Sequence, residues 1–582
     1  MKKIKSYILV ALMGLTVTSC KDFLTLMPLN EVVLENFWTD EKDVESVLMG
    51  AYSALESSDC IVRMAAWGEF RSDNILSGSD NTSSSDDLNK FIDENINENN
   101  ELTTYLCFYK AINYANTVLH FAPEVHRKDP NYRGSQEKAH EAEAIAIRSL
   151  AYWYLMRAFK DVPYVTIPSI DDTHDFFIGQ TPFNQVLDSL IYDLEKVKDY
   201  APIHYSPKLE NASNTSRFTR QAIYAMLADM YLWKQDWDKC IECCEYVNKI
   251  KKDEYDALYA EKGLSSNLTL MAGKYPLINA SDADGRRGRA YNLIFGEGHS
   301  FESLFELHFG DDSNNSFVSS YYNGSNPTVG RVKAYTPLGT YGKPTSVFKT
   351  VFDTRFHEDM KVSTSSSSSY GILKYVFQKV DYTFNGEQVM PASGNRNGNG
   401  SARQDNSADP NWIVYRYSEV LLMEAEAKVM KAKSFGTATL SDSLSAVKNT
   451  LLNEAFELVS AVYDRAICKE IIKDDSYSLS PESYTNIDDL ENLVFEERRR
   501  EFLFEGKRWF DLVRKAMRDG TPKEVYTAVQ GKYEGNTKSI ELKFANPNAL
   551  FLPINKDEIK INDKLIQNPA YQRTDEVIKK SK

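Results

Sequence analysis

A mostly α-helical fold is predicted for this 582-residue chain, with helix pairs forming a scaffold and a loop-rich, partly β region set within it. Three observations carry the prediction. Apolar residues recur at i, i+3, i+4 and i+7 over long stretches on both sides of the centre, the spacing of one helix face. Two such stretches meet near Gln235-Asp236 with almost no linker. Between about 262 and 411 the helical period fades and Gly, Ser, Asn and Tyr become frequent.

The first helix is expected over 40–57. Val44, Val47, Leu48, Ala51, Tyr52 and Leu55 share a face there, and Asp40 stands as N-cap. Helices over 101–121 and 137–160 follow. The second ends at Lys160-Asp161-Val162-Pro163, because a residue before proline disfavours the α region. Residues 182–200 and 218–250 come next, the latter broken near Gln235. Tyr224, Leu227, Ala228 and Tyr231 before that break, with Cys240, Cys244 and Val247 after it, resemble a tetratricopeptide helix pair. Leu150, Ala151 and Tyr154 resemble the first helix of another copy, whose partner is displaced by a loop at about 163–181, so the repeats are irregular. In the centre, Gly371 to Phe377 alternates like a strand, Ser365 to Ser369 is a serine run, and 391–410 offers almost nothing to a core. Helices resume at 417–432 and at 486–518.

The N-terminus reads as an address. Lys2, Lys3 and Lys5 precede an apolar run from Tyr7 to Val17. That run is too short to span a bilayer and fits a secretory signal. Cys20 follows Val17-Thr18-Ser19, which resembles a bacterial lipoprotein box, in which the cysteine is lipidated and becomes the first residue. An ordinary signal peptide with a chance cysteine is the alternative. Residues 1–19 are thus expected to be removed and the body tethered through lipid on Cys20, two acyl chains holding far longer than one.

Composition narrows the function. Lys+Arg is 68 and Asp+Glu is 83, a net charge of −15, which argues against a nucleic-acid partner. Six cysteines remain after Cys20, and their spacing does not form a disulfide framework. Cys240, Cys243 and Cys244 share one helix face with no second pair or His nearby, so core packing is expected rather than a metal site. The chain has no H-E-x-x-H, no G-x-S-x-G and no G-x-x-x-x-G-K-[ST]. Asp282 to Gly285 lacks the first ligand and closing Glu of a calcium loop. No enzyme activity, catalytic residue, metal or cofactor is expected, with a glycan-degrading lipoprotein enzyme as the lesser alternative, because paired carboxylates meet in space and not in sequence.

Several segments together resemble the SusD/RagB family of outer-membrane nutrient-binding lipoproteins. They are Cys20 to Leu24, Pro28-Leu29-Asn30, Asn36-Phe37-Trp38, 142–165, 217–247, 414–427, 495–514, 550–562 and Gln567 to Tyr571, in family order along nearly the whole mature chain. Within EERRREFLFEG, Glu496 and Arg500 are expected to pair at i, i+4. Arg498, Arg499 and Arg508 are expected to meet carboxylates, and Phe502, Phe504, Trp509 and Phe510 to enter the core. The resemblance implies a signal peptide (1–19), an N-terminal SusD-like helical-repeat region (20–250) and a C-terminal RagB/SusD region (251–582) carrying the loop-rich insert 262–411. It also implies a lipid-anchored lid on the outer face of the outer membrane. Such a lid captures an oligosaccharide, or peptide in some members, for a SusC-like TonB-dependent transporter, without turnover.

A sugar site needs an aromatic platform and polar groups that fix orientation. Trp67, Arg71, Asp73 and Asn74 lie within eight residues in WGEFRSDN, a segment that resembles one near the family's binding face. The alternative there is a core Trp67 with Asp73 or Asn74 capping a turn. The other candidates, all in loop-like stretches, are Tyr291, Tyr321, Tyr322, Tyr335, Tyr341 and Trp412.

Overall fold

The structure is a computed structural model. It describes residues 37–572 except 79–85, 171–176, 210, 263–268, 273, 283, 311–314, 323–329, 336–337, 339–346, 362–370, 387, 392–399, 403–409, 437–440, 473 and 534. Residues 1–36, which include the expected signal peptide and Cys20, and Tyr341 lie outside the described residues.

Helix α1 (Glu41–Leu55) starts where its sequence places it. The Asp40 side chain accepts from Lys42 N, and Asp43 returns the bond to Asp40 N, satisfying otherwise orphaned donors. After α2 (Ser58–Ala65) come α3 (Leu106–Lys128) and α4 (Gly134–Phe159), and α1, α3 and α4 pack on one another. From Ala142 to Phe159 every residue of α4 is buried, as a helix surrounded by others requires. It stops at Lys160, whose φ of 70° takes the chain out of the helix. Then follow α5 (Phe183–Val197), α6 (Arg220–Lys234) and α7 (Trp237–Lys262). The break between α6 and α7 falls at Gln235, in the left-handed region at φ 63°. Cys240, Cys243 and Cys244 are buried core residues, with the Cys240 thiol facing Met423 O.

Strand β1 (Ile75–Ser77) pairs antiparallel with β3 (Val332–Ala334), and β2 (Ser303–Leu307) with β4 (Trp412–Arg416). Four more antiparallel pairs join 269–272 to 275–278, 360–361 to 371–372, 377–380 to 400–402 and 382–385 to 388–391. Every sheet among the described residues has two strands. The alternating run at 371–377 is not one strand. It splits into Gly371–Ile372 and a strand from Phe377, with Tyr375 turning between them at φ 66°.

β4 runs straight into α8 (Tyr417–Ser434), which packs on α7 and on α9 (Asp442–Ala466). The 25-residue α9 has no counterpart in the sequence reading, because its first half is exposed and polar and its buried stripe begins only at Leu451. The helix expected over 486–518 is two helices, α10 (Ile487–Glu501) and α11 (Arg508–Asp519). Phe504 and Gly506 sit at φ 65° and 72° between them, a reversal that helical periodicity cannot reveal. A short C-terminal helix, α12 (Lys556–Ile561), closes against α3. Among the described residues no helix is long and apolar enough to cross a membrane.

Candidate functional site

The segment WGEFRSDN forms a wide helical turn, Ala66–Phe70, and the loop after it. Trp67 is 1% exposed; its Nε1 donates to Leu102 O at 2.8 Å, and its ring stacks on Phe108 with Phe159 edge-on. Arg71 forks onto Glu94 at 2.6 and 2.9 Å and donates to the carbonyls of Ala549 and Leu550 at 2.8 Å each. Its guanidinium lies 4.1 Å over the Trp509 ring. Asp73 accepts from Arg508 and Arg499, and Asn74 bridges Glu69 and Arg499. Burial alone would raise the Asp73 pKa, but the two guanidiniums hold it down at about 2. Burial pushes Glu69 up to about 7, against the bonds from Asn74 and the chain at Lys507. Arg71, Asp73 and Asn74 are therefore internal braces from this turn to α10, α11 and 549–550, and Trp67 is packed within the N-terminal part. None keeps a face for a sugar ring.

The remaining rings gather around Phe317. Tyr321, Tyr322 and Trp412 lie with ring centroids 5.1, 4.9 and 5.4 Å from it. Trp412 also stacks on Tyr375, and Phe70 joins from the WGEFRSDN turn. Tyr322 is buried, with its hydroxyl donating to Phe504 O at 2.9 Å; Tyr321 sits under Arg331 at 4.8 Å. Tyr291 is apart from this cluster and equally buried, donating to Leu373 O at 2.7 Å. Close packing against Phe317 and Phe504 holds Tyr322 inside. Tyr335 differs. It is half-buried, its N–H donates to Asn74 O at 2.7 Å, and it follows β3 directly. The structure thus brings Tyr321, Tyr322, Trp412 and the 66–74 turn into one aromatic floor, with the Tyr335 main chain beside that turn and its hydroxyl end against Gly531.

Beneath the floor lies a buried ion network. Arg416 bonds Glu501 at 2.6 Å and Glu505 at 2.8 and 2.9 Å. Arg355 reaches Glu497 at 2.7 Å and Glu501 at 2.9 Å, and Arg465 joins Glu501 to Glu302. Lys374 reaches Glu505 at 2.9 Å. Burial would raise Glu501, yet Arg465, Arg416 and Arg355 hold it well below the usual carboxylate range. Glu358 has no such cluster; burial first and neighbouring Asp359 next push it up to about 8. The expected Glu496–Arg500 pair is replaced: Arg500 bonds Glu497 at 2.8 Å, and Glu496 lies 3.9 Å from Arg508. Through Glu497, Glu501 and Glu505 the motif fastens Arg355, Lys374 and Arg416 to the helices, and Arg498, Arg499, Arg500 and Arg508 each meet a carboxylate.

One open concavity was not anticipated. A groove of about 330 Å³ runs between the start of α3, the stretch Pro163 to Ser169 with Phe177, and α12. Leu106, Phe177 and Ile561 are 74%, 51% and 67% exposed on it, and Tyr105 and Tyr109 form its floor. Its amides are already used: Asn116 binds the carbonyls of Val165 and Ile167, and Asn562 that of Ile178. The groove therefore offers mainly apolar surface. Nothing in the sequence brings Leu106, Phe177 and Ile561 together. No group of three or more His, Cys, Asp or Glu among the described residues could hold a metal ion.

Comparison with known proteins follows the same order as the fold. Residues 22–232 match a family model described as starch-binding associating with outer membrane, and residues 308–571 match the SusD family model. SusD-like protein P38 of Formosa agariphila is 24% identical over 535 residues, 88% of this chain and 92% of the relative. SusD-like protein P2 of the same organism is 23% identical over 88% of this chain and 91% of its own. A SusD superfamily structure from Bacteroides vulgatus superposes with a TM-score of 0.63 at 16% identity, covering 92% of this chain and all of that one. Surface glycan-binding protein A from Bacteroides uniformis superposes with a TM-score of 0.60 at 20% identity, covering 91% of this chain and all of that one. By both family models and by its mostly helical fold, the chain belongs to the SusD-like family of binding proteins.

Proposed function

We propose that the mature chain is a surface-exposed outer-membrane lipoprotein, anchored through Cys20, that captures an oligosaccharide without cleaving it and delivers it to a SusC-like TonB-dependent transporter. The observation that carries this reading is the pair of family matches, in order, over residues 22–232 and 308–571. The likeness to a surface glycan-binding protein supports the glycan over the peptide alternative. Ligand contact belongs to the loop-rich side, with Tyr335 and Tyr341 as the candidate rings. Trp67, Arg71, Asp73, Asn74, Tyr291, Tyr321, Tyr322 and Trp412 are buried and act through the fold. The apolar groove at Leu106, Phe177 and Ile561 is the surface we assign to the transporter, since a contiguous exposed apolar patch favours protein contact over a hydroxyl-rich ligand.

Isothermal titration of the purified chain against plant, host and microbial glycans tests the reading. Binding in the millimolar to micromolar range, roughly −4 to −8 kcal/mol, is expected. Binding to peptides alone moves the ligand to that class. Release of reducing ends counts against a binding protein.

A further inference from the structure

The Tyr335 ring is met by a segment far along the chain. The short 3-10 turn Gln530–Lys532 places Gly531 against the hydroxyl end of the ring. A Cβ on Gly531 would stand 2.5 Å from Tyr335 Oη, 3.5 Å from Cζ and 4.0 Å from Cε1. Both sides of this contact are anchored independently to the 66–74 turn. The Tyr335 N–H donates to Asn74 O at 2.7 Å. Lys532, next to Gly531, donates through Nζ to Ser72 O at 2.7 Å and to Phe70 O at 3.3 Å. Tyr533 follows, its N–H on Gln530 O at 3.1 Å and its hydroxyl on Ile92 O at 3.0 Å. The main chain at Gly531 is therefore held by its neighbours and does not retreat from the ring. Gly531 is exposed and its backbone lies outside the left-handed region, so alanine fits there without backbone strain.

We propose that Gly531 is a positioning residue for ligand capture: by lacking a side chain it sets the angle at which Tyr335 presents its ring to a sugar. The role in capture rests on the reading of Tyr335 as a ligand contact; the coupling of Gly531 to the ring does not. The atom in the way of a side chain at 531 is the far end of a tyrosine, not main chain. A methyl group there would be accommodated by turning the ring about its two side-chain torsions. The hydroxyl would withdraw by about 1 Å to reach ordinary van der Waals separation. The Tyr335 main chain stays pinned on Asn74, so the withdrawal tilts the ring instead of carrying the whole residue away. A sugar packed on an aromatic face depends on that tilt, because the apolar C–H face and the hydroxyl rim must meet the ring and its polar neighbours together.

The test combines Gly531→Ala with Tyr335→Phe in the full-length chain. A crystal structure of Gly531→Ala without ligand should show the Tyr335 hydroxyl displaced by about 1 Å and the 530–533 main chain in place. Affinity of that variant for the tightest-binding oligosaccharide of the glycan panel should fall about fivefold, with the melting midpoint within about 2 °C of wild type. In Tyr335→Phe the oxygen is gone, and the nearest ring atom, Cζ, stands 3.5 Å from the added methyl. Gly531→Ala in that background should therefore leave affinity at the value of Tyr335→Phe alone. A ring that stays in place while the 530–533 segment moves, or an equal loss of affinity in both backgrounds, overturns the proposal. Wild-type affinity in Tyr335→Ala overturns instead the reading of Tyr335 as the ligand contact, and the ligand-free structure of Gly531→Ala keeps the two failures apart.

Discussion

Arg508 grips both carboxylate oxygens of Asp73, Nε at 2.9 Å and Nη2 at 3.1 Å, across 435 residues of sequence. Arg499 meets the same carboxylate at 3.0 Å. All three side chains are largely removed from water, and removing one member of such a set leaves charge uncompensated. Asp73→Asn should lower the free energy of unfolding by about 3–5 kcal/mol, measured from urea midpoints at pH 7. The acid limb gives a second readout. The folded Asp73 pKa is about 2, below its ordinary 3.8, so its stabilisation is complete above about pH 4 and is lost as pH falls through about 2. The variant should have a flatter loss of stability over that window. An unchanged acid limb would count against the pairing.

Gly68 packs directly on the main chain of Gly506. A Cβ there would stand 1.7 Å from Gly506 O and 2.4 Å from Gly506 C, backbone atoms with no flexible side chain to yield. Gly68→Ala should cost more than about 3 kcal/mol or prevent folding, beyond the usual penalty of overpacking. Gly134 is the internal control. It begins α4 with its nearest neighbour, the His126 ring, at 3.8 Å, so alanine there should change stability by less than about 0.5 kcal/mol. Equal effects at the two positions would remove the close-approach argument.

Much of the scaffold was legible because helices broadcast a period. Asp40 as a cap, the break at Gln235 and the buried cysteines of α7 all follow from local residues. What stayed hidden is long-range. α9 exposes half its length, so its pattern is diluted, and the turn at Phe504–Gly506 packs against Gly68, far away in sequence. The candidate site misled for the same reason. Trp67, Arg71 and Asp73 are residue types that ligands favour, but their partners, Leu102, Glu94 and Arg508, come from three other segments. A sequence lists a Trp or an Arg without saying which of its faces another segment will cover.

Glu358 predicts the opposite pH behaviour from Asp73. It is buried beside Asp353 and Asp359, with Arg465 as the opposing cation and Tyr382 as a hydrogen-bond partner, and its pKa rises from 4.5 to about 8. Between those values the folded chain keeps a proton that the unfolded chain releases, so this group makes stability fall as pH climbs from about 4.5 to 8. Glu358→Gln, which is neutral throughout, should raise the urea midpoint at pH 8 and leave it near wild type at pH 5. The same shift at both pH values would show that charge at this position is not the cause.

The groove assignment separates two activities that the proposed function joins. Phe177→Asp places a charge on a half-exposed apolar surface and removes no internal hydrogen bond. It should leave glycan titration and melting unchanged while lowering co-purification with the transporter and uptake by cells at least several-fold. Loss of glycan binding with transporter association intact would move the ligand into the groove.

Tyr335 and Trp412 divide the aromatic candidates into contact and support. Trp412 is buried between Phe317 and Tyr375, so Trp412→Ala opens a cavity and should cost about 3–5 kcal/mol of stability. Any loss of glycan affinity in that variant would come from a disturbed fold. Tyr335 is half-buried beside the 66–74 turn, and its bond to Asn74 is made by the main chain, which alanine retains. If a sugar face packs on its ring, Tyr335→Ala should weaken binding about tenfold, ~1.4 kcal/mol, while the melting midpoint moves by no more than about 2 °C. Titration with the best ligand of the glycan panel, beside thermal unfolding of the same samples, reads both quantities. Unchanged affinity in Tyr335→Ala would transfer the contact to Tyr341 or to another residue of the loop-rich side, and Tyr341→Ala titrated in the same way would decide which.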